Sequence, residues 1–344
     1  MKTRSFAAAA IAVLLLHSVG SARVVNRVSP PNDQTMRLVS MLPASDIVAV
    51  FDPSQFFYDA LPKLLIGNQP ALSEVIATIN DIQASTGIDF SKFEKVAVGI
   101  SSKRVSATET DYEPVVVASG DIRGAALFAV AKLAGDKAYR EEKIGDRAVY
   151  ILSSKEKEKT AGSKVAAFVA KQFRSITKDV AVSELDANTL VLGSLPRVRE
   201  TIEARSGIST DLISLVSVEE KTVLAFAARN SGKMLKFPPL DAPEFGEIID
   251  SIKFLSGSIQ MVDEGLRFRL LAISKTNERQ KSLRDTVDEL RFVGKVVYGR
   301  SNRADQQVYG RMLKSAKIES KGSKMWLDIV VPQADINTLI AGMK

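Results

Sequence analysis

The chain has 344 residues, with 47 Lys and Arg against 40 Asp and Glu, one histidine, no cysteine and 45% hydrophobic content. Such a chain can bury a sizeable core, but without a thiol it has no disulfide, no thiol nucleophile and no haem attached through C-x-x-C-H. Its one imidazole is His17.

His17 falls in a stretch patterned like a secretory signal peptide. Lys2 and Arg4 form a positive start, Phe6 to Leu16 is apolar and uncharged, and Gly20-Ser21-Ala22 offers small residues for cleavage. Residues 1–22 are expected to be removed, because an apolar run this short falls below the roughly 20 residues that cross a hydrocarbon core. No transmembrane segment is expected beyond residue 22. The mature chain then carries neither His nor Cys, which excludes Ser-His-Asp triads and the nitrogen and sulfur ligand sets of zinc. An exported chain without bridges suits a bacterial periplasm or the exterior, so a periplasmic or secreted location is expected.

Residues 23–40 read as a flexible polar leader. Residues 46–51 predict a strand ended by Asp52-Pro53, with Ser54 placed to cap a helix through residue 65. Pro70 opens a second helix in which Leu72, Val75, Ile76, Ile79 and Ile82 recur at helical spacing, with Gly87 as its stop. Strands at 93–101 and 114–119 and a helix at 124–134 follow. Gly145-Asp146 is a two-residue turn between strands 139–144 and 147–153. Residues 154–164 read as an exposed insertion and 165–173 as a helix. Strands 180–185 and 189–193 pair about residues 186–188, and a helix covers 196–205.

The second part repeats this grammar. A buried strand is expected at 222–228, then strands 252–262 and 266–274 about Asp263-Glu264-Gly265. A long helix covers 277–297, with Leu283, Val287 and Leu290 on one stripe, and another covers 305–313. Strands 317–320 and 325–331 turn about Gly322, and Pro332 opens a closing helix to residue 340. Hairpins followed by helices predict an α+β fold of antiparallel sheet. The shared order predicts an internal duplication, with a first half at 41–206 and a basic second half at 207–344. A seam between such halves is a place for ligands, and Phe56, Phe57, Tyr58 and Leu61 would line it or pack in the core. Trp326 is either an exposed contact or a packing residue.

Charge concentrates late. Between Arg267 and Lys324 fifteen Lys and Arg face six acids. Arg267, Arg269, Arg279, Lys281, Arg291, Lys295, Arg300, Arg303, Arg311 and Lys314 are the candidate face for an anionic partner. An anionic lipid or polysaccharide surface, or another envelope protein, fits an exported chain; nucleic acid does not. The competing reading is that these are solvated faces of amphipathic elements.

No calcium loop, phosphate loop, dinucleotide fingerprint or nucleophile elbow occurs, and no metal or cofactor is expected. Ser154 to Lys157 and Ser175 to Lys178 match S-x-x-K, but the S-D-N and K-T-G partners are missing. Hydrolysis by two carboxylates needs no histidine, and Asp52, Glu184 and Asp186 lie near strand ends. Asp52 and Asp186 are more simply turn residues. One Trp and six Tyr are few for a sugar-binding cleft. The expectation is a non-enzymatic exported binding or scaffold protein of the cell envelope, holding a hydrophobic or anionic ligand. The alternative is a carboxylate-dependent, glycosidase-like envelope hydrolase.

Three segments carry a resemblance. Met41-Leu42-Pro43-Ala44-Ser45-Asp46, Gly87-Ile88-Asp89 with Phe93-Glu94-Lys95-Val96-Ala97-Val98-Gly99, and Leu185-Asp186-Ala187-Asn188-Thr189-Leu190 are similar to segments of an uncharacterised exported bacterial family of unknown function. That resemblance implies export and an α+β fold, and it transfers no site residue.

Overall fold

The computed structural model describes residues 33–342 apart from 87–88, 105–109, 123–139, 154–178, 206, 217, 231–246 and 248–249. The expected signal peptide with His17, the expected stop at Gly87, the expected 154–164 insertion, both S-x-x-K matches and the helices expected at 124–134 and 165–173 lie outside these residues.

Twelve antiparallel strands make one sheet: β1 (Ile47–Phe51), β2 (Phe93–Arg104), β3 (Thr110–Gly120), β4 (Arg140–Ile144), β5 (Arg147–Ser153), β6 (Asp179–Asp186), β7 (Thr189–Ser194), β8 (Thr222–Arg229), β9 (Ile252–Val262), β10 (Gly265–Ser274), β11 (Lys317–Lys321) and β12 (Lys324–Pro332). With eight helices among the described residues, this is the expected α+β class. The strand order is β11-β12-β10-β9-β8-β1-β2-β3-β7-β6-β5-β4. At its middle β1 pairs with β8, with Ala49 opposite Phe226. Read outward from that pair, β1-β2-β3-β7-β6 on one side matches β8-β9-β10-β12-β11 on the other. The hairpin β5-β4 extends the first arm beyond this match. Because β1 and β8 are hydrogen-bonded, the halves meet along a ladder instead of an open seam.

Strand alternation and register assign each side chain to a face. Val50 stands opposite Ala225, Ala225 opposite Ser258 and Ser258 opposite Arg269, so these four share one face. In the first half that face holds the core: Val48, Val50, Ala97, Val115, Val117, Val149, Ala181 and Val191 pack with Leu38, Val39, Val198 and Leu212. The covering helices are α1 (Asp33–Met41), α4 (Leu195–Ile202) and α5 (Thr210–Leu215). In the second half the core lies on the opposite face. Met261, Leu266, Phe268 and Val331 pack with Ala60, Leu64 and Ile336, and Ala272 and Met325 pack with Ile252 and Leu283. Its helices are α2 (Leu61–Leu64), α6 (Asn277–Gly299), α7 (Ala304–Ser315) and α8 (Gln333–Gly342); α3 (Gln69–Thr86) completes the set.

Several expectations need correction. The leader expected at residues 23–40 does not reach residue 40, because residues 33–41 form α1. Thr35, Leu38, Val39 and Leu42, spaced as one helical stripe, are all buried. The cap of the next helical segment is Asp52, not Ser54: the Gln55 amide donates to Asp52 Oδ1 at 2.9 Å. That segment opens as a π-helical stretch, Gln55–Ala60, running into α2. β2 and β3 run several residues beyond their expected ends. The expected helix 196–205 is shorter, and α5 is an unexpected element; Ile208, Leu212 and Val216 bury its stripe. The turns follow their glycines. Gly145 has φ +60° between β4 and β5. Gly265 has φ +151°, and a side chain there would strike the Val331 carbonyl.

Candidate functional site

The most unusual surface among the described residues is on α6. Thr276 caps this helix, its hydroxyl accepting from the Arg279 amide at 3.2 Å. Glu278 in the first turn has its carboxyl pKa lowered by its own backbone amide and by the Thr276 hydroxyl. The first half of α6 packs on the sheet: Leu283 is buried among Ile252, Ala272 and Met325, with Val287 against them. The second half packs on α7. Arg291 Nε donates to the Leu313 carbonyl at 2.9 Å, capping the end of α7. A side chain on Gly294 would collide with Leu313, and Gly310 sits under the Gly299 and Tyr298 backbone. Tyr298 and Tyr309 meet edge to face at 5.7 Å. Burial, then the nearby Asp305 and Tyr298, push the Tyr309 phenol pKa up.

Along α6, Leu283 and Val287 face the sheet and Gly294 and Tyr298 face α7, while Phe292, Val293, Val296 and Val297 are exposed. Phe292 is 68% exposed, Val297 59% and Val293 56%, with Val296 and Leu290 exposed beside them. A surface depression of about 580 Å³ is lined by Asp285, Asp288, Glu289, Phe292 and Val293. The stripe thus has carboxylates on its N-terminal side. On its C-terminal side stand Arg300 and Arg303, with Lys295 within its span. Arg303 is bound to Asp305, at 3.1 and 2.7 Å, a pairing that raises the Arg303 pKa and lowers that of Asp305. Among the described residues neither Glu289 nor Arg300 has an ion pair.

The ten basic residues singled out in the sequence do not share one face. Arg267 and Arg269 lie on the opposite side of the sheet from α6, both against Asp328, at 3.5 and 3.3 Å. Arg269 also meets Glu219, which accepts from Gln260 at 3.0 Å. Arg311 forks onto Asp335 of α8, and this hydrogen bonding raises the Arg311 pKa against a smaller desolvation effect. Arg291 is a cap. Arg279, Lys281, Lys295, Arg300 and Lys314 are the members on the α6–α7 side that carry no ion pair among the described residues.

The acids considered for hydrolysis have structural partners. Asp52 is buried, paired with Lys95 and capping the π-helical segment. Asp186 closes the β6–β7 turn, accepting from the Asn188 amide at 2.9 Å and from Arg37 at 3.0 Å. Desolvation acts to raise its pKa, but the Asn188 amide, the Thr189 hydroxyl and the charges of Arg37 and Arg147 outweigh it and leave it lowered. Glu184, half-buried on β6, accepts Arg147 through its carbonyl at 3.1 Å. Of the aromatic group at the first helix, Phe56 packs against the second core and Leu61 is buried, while Tyr58 is exposed. Trp326 is half-buried on β12, opposite Leu271. Sequence reasoning missed two things. One is the outward stripe, visible as Phe-Val and Val-Val pairs out of phase with Leu283 and Val287. The other is Arg197, 3% exposed, which donates to the Ala44 carbonyl at 2.8 Å and to Ser45 Oγ at 2.9 Å.

Among the described residues no group of three or more acids or other ligating side chains is placed to hold a metal ion. No helix of the described residues is long and apolar enough to cross a membrane.

No family model and no curated protein matches the chain. Solved structures similar to it include those described as crystal forms I, III and IV of TP0453. Form I is 12% identical, with 89% of this chain and 97% of that chain covered and a TM-score of 0.42. Form III is 11% identical, covering 88% and 97%, with a TM-score of 0.45. Form IV is 12% identical, covering 88% and 96%, with a TM-score of 0.42.

Proposed function

We propose that this chain is a non-enzymatic, exported scaffold protein of the bacterial cell envelope that docks a protein surface on the outer side of the α6–α7 hairpin. The observation that carries this is the exposed stripe of Phe292, Val293, Val296 and Val297. A contiguous apolar patch of this kind adds little to the stability of its own fold and marks an interaction site. Unpaired charge on both sides of the stripe gives such a site orientation.

Supporting this reading over hydrolysis, Asp52 and Asp186 are committed to a cap, a turn and two cations. Export rests on the charge and apolar pattern of residues 1–22. The matched strand orders about β1 and β8 support an ancestral duplication, in which the first arm later gained β4–β5.

Native mass spectrometry of the protein purified from its own envelope, beside a Phe292→Asp variant, tests the proposal. The expected result is protein mass beyond a single chain in the wild type and its loss in the variant. Identical spectra, lipid carried by both forms, or hydrolysis of envelope glycan by the purified chain overturns it.

A further inference from the structure

We infer that the surface docked on α6 is α6 of a second copy of this chain, packed antiparallel about a two-fold axis between Gly294 and Lys295. This rests on the docking reading above and names the partner. A two-fold pairing must be self-complementary: whatever stands a given distance before the axis meets whatever stands the same distance after it. With the axis between residues 294 and 295, Val293 meets Val296 of the second copy, while Phe292 and Val297 border that contact on either side. One turn further out, Glu289 meets Arg300, the two charges that flank the stripe without a partner among the described residues. The depression lined by Asp285, Asp288, Glu289, Phe292 and Val293 then receives Val296 and Arg300 of the other copy. Each copy offers both the depression and its filling, so a single pairing fills two depressions and joins two charge pairs.

The alternatives fit less well. An anionic bilayer would attract Arg300 and Lys295, but it would also draw Glu289 and Asp285, on the same side of the helix, against negative headgroups. Strand pairing between copies at the sheet edges is blocked by charge. The edge strand β4 carries Arg140, Glu141, Glu142 and Lys143, and the edge strand β11 carries Lys317, Glu319 and Lys321. Helix α6 is therefore the described element whose chemistry favours a copy of itself. The apolar stripe offers on the order of 400 Å² per copy, against roughly 800 Å² per partner in a standard interface, which sets the pairing as weak and reversible.

Sedimentation equilibrium on the full mature chain, with charge swaps, tests the pairing. The wild type is expected to show a concentration-dependent monomer–dimer equilibrium. Glu289→Arg alone and Arg300→Glu alone each turn two attractive contacts into two repulsive ones, and each is expected to weaken the dimer about tenfold. The two together restore the attraction with its signs exchanged, and wild-type association returns. Circular dichroism and thermal unfolding of each variant confirm that the fold is intact. A wild type that stays monomeric at every concentration, or a double variant that remains as weak as the singles, overturns the pairing. If Phe292→Asp still strips a different protein in native mass spectra, the docking surface stands while self-association falls. Flotation with phosphatidylglycerol vesicles that depends on Val296 and Val297 also overturns it, in favour of a bilayer.

Discussion

In the first half of the sheet the face carrying Val48, Val115 and Val191 is covered by α1, α4 and α5. In the second half the face carrying Leu266, Phe268 and Met325 is covered, and that is the other side. The change-over happens on β8, where Val223 belongs to the second core while Ala225 and Ala227 belong to the first. One strand therefore serves two cores by its alternation alone, and it reads as a near-continuous run of apolar residues because both of its faces are used. The comparison teaches that the face opposite each core differs in kind between halves. On the second half it carries the Arg267, Arg269, Asp328 and Glu219 network instead of a hydrophobic layer.

Separate cores should fail separately. Leu212→Ala in the first and Leu266→Ala in the second, both fully buried, should each lower stability by about 2–5 kcal/mol in denaturant unfolding. Distant sites without shared partners add, so the double variant should show the sum to within about 0.5 kcal/mol. A coupling well beyond that would mean that the two faces act as one core. Arg197→Met sharpens the account of the first half: it should cost about 1–3 kcal/mol, since the Ala44 carbonyl and Ser45 lose their donor. Arg197→Lys should fail to restore it, because a single ammonium cannot replace the guanidinium fork.

Within α6 the same contrast appears on one helix. Leu283→Ala should cost about 2–5 kcal/mol, whereas Val296→Ser should leave the melting free energy within about 0.5 kcal/mol and alter association only. Equal losses at both positions would show that the stripe is not free. The smallest effect is at Asp186, half-buried, whose folded pKa lies below its ordinary 3.8. Its contribution is complete above that value and is lost as pH falls through the folded pKa. The stability difference between wild type and Asp186→Asn should thus be under about 1 kcal/mol at neutral pH and vanish on acidification.

Much of the fold was legible because its signals are local. Gly145, Gly265 and Gly322 marked turns, and the alternation of Leu266, Phe268 and Leu270 with Arg267 and Arg269 gave β10 its two faces. The α1 helix was hidden by polar neighbours, for its stripe of Thr35, Leu38, Val39 and Leu42 is short. The ion pairs that divide the basic set join residues far apart in sequence: Arg269 finds Glu219 and Asp328, and Arg311 finds Asp335, so charge counting along the chain could not show which cations were spoken for. The α6 stripe was present in the sequence, but its significance depended on which side α7 and the sheet would take.

The ladder between β1 and β8 joins residues 47–51 to residues 224–228, with nearly the whole first arm synthesised between them. Loop closure over that distance is slow, so each arm should gain its hairpins early and the central ladder should zip last. Until then β1 and β8 present bare apolar edges, and a nascent or truncated chain released at that stage would be the species most prone to aggregate.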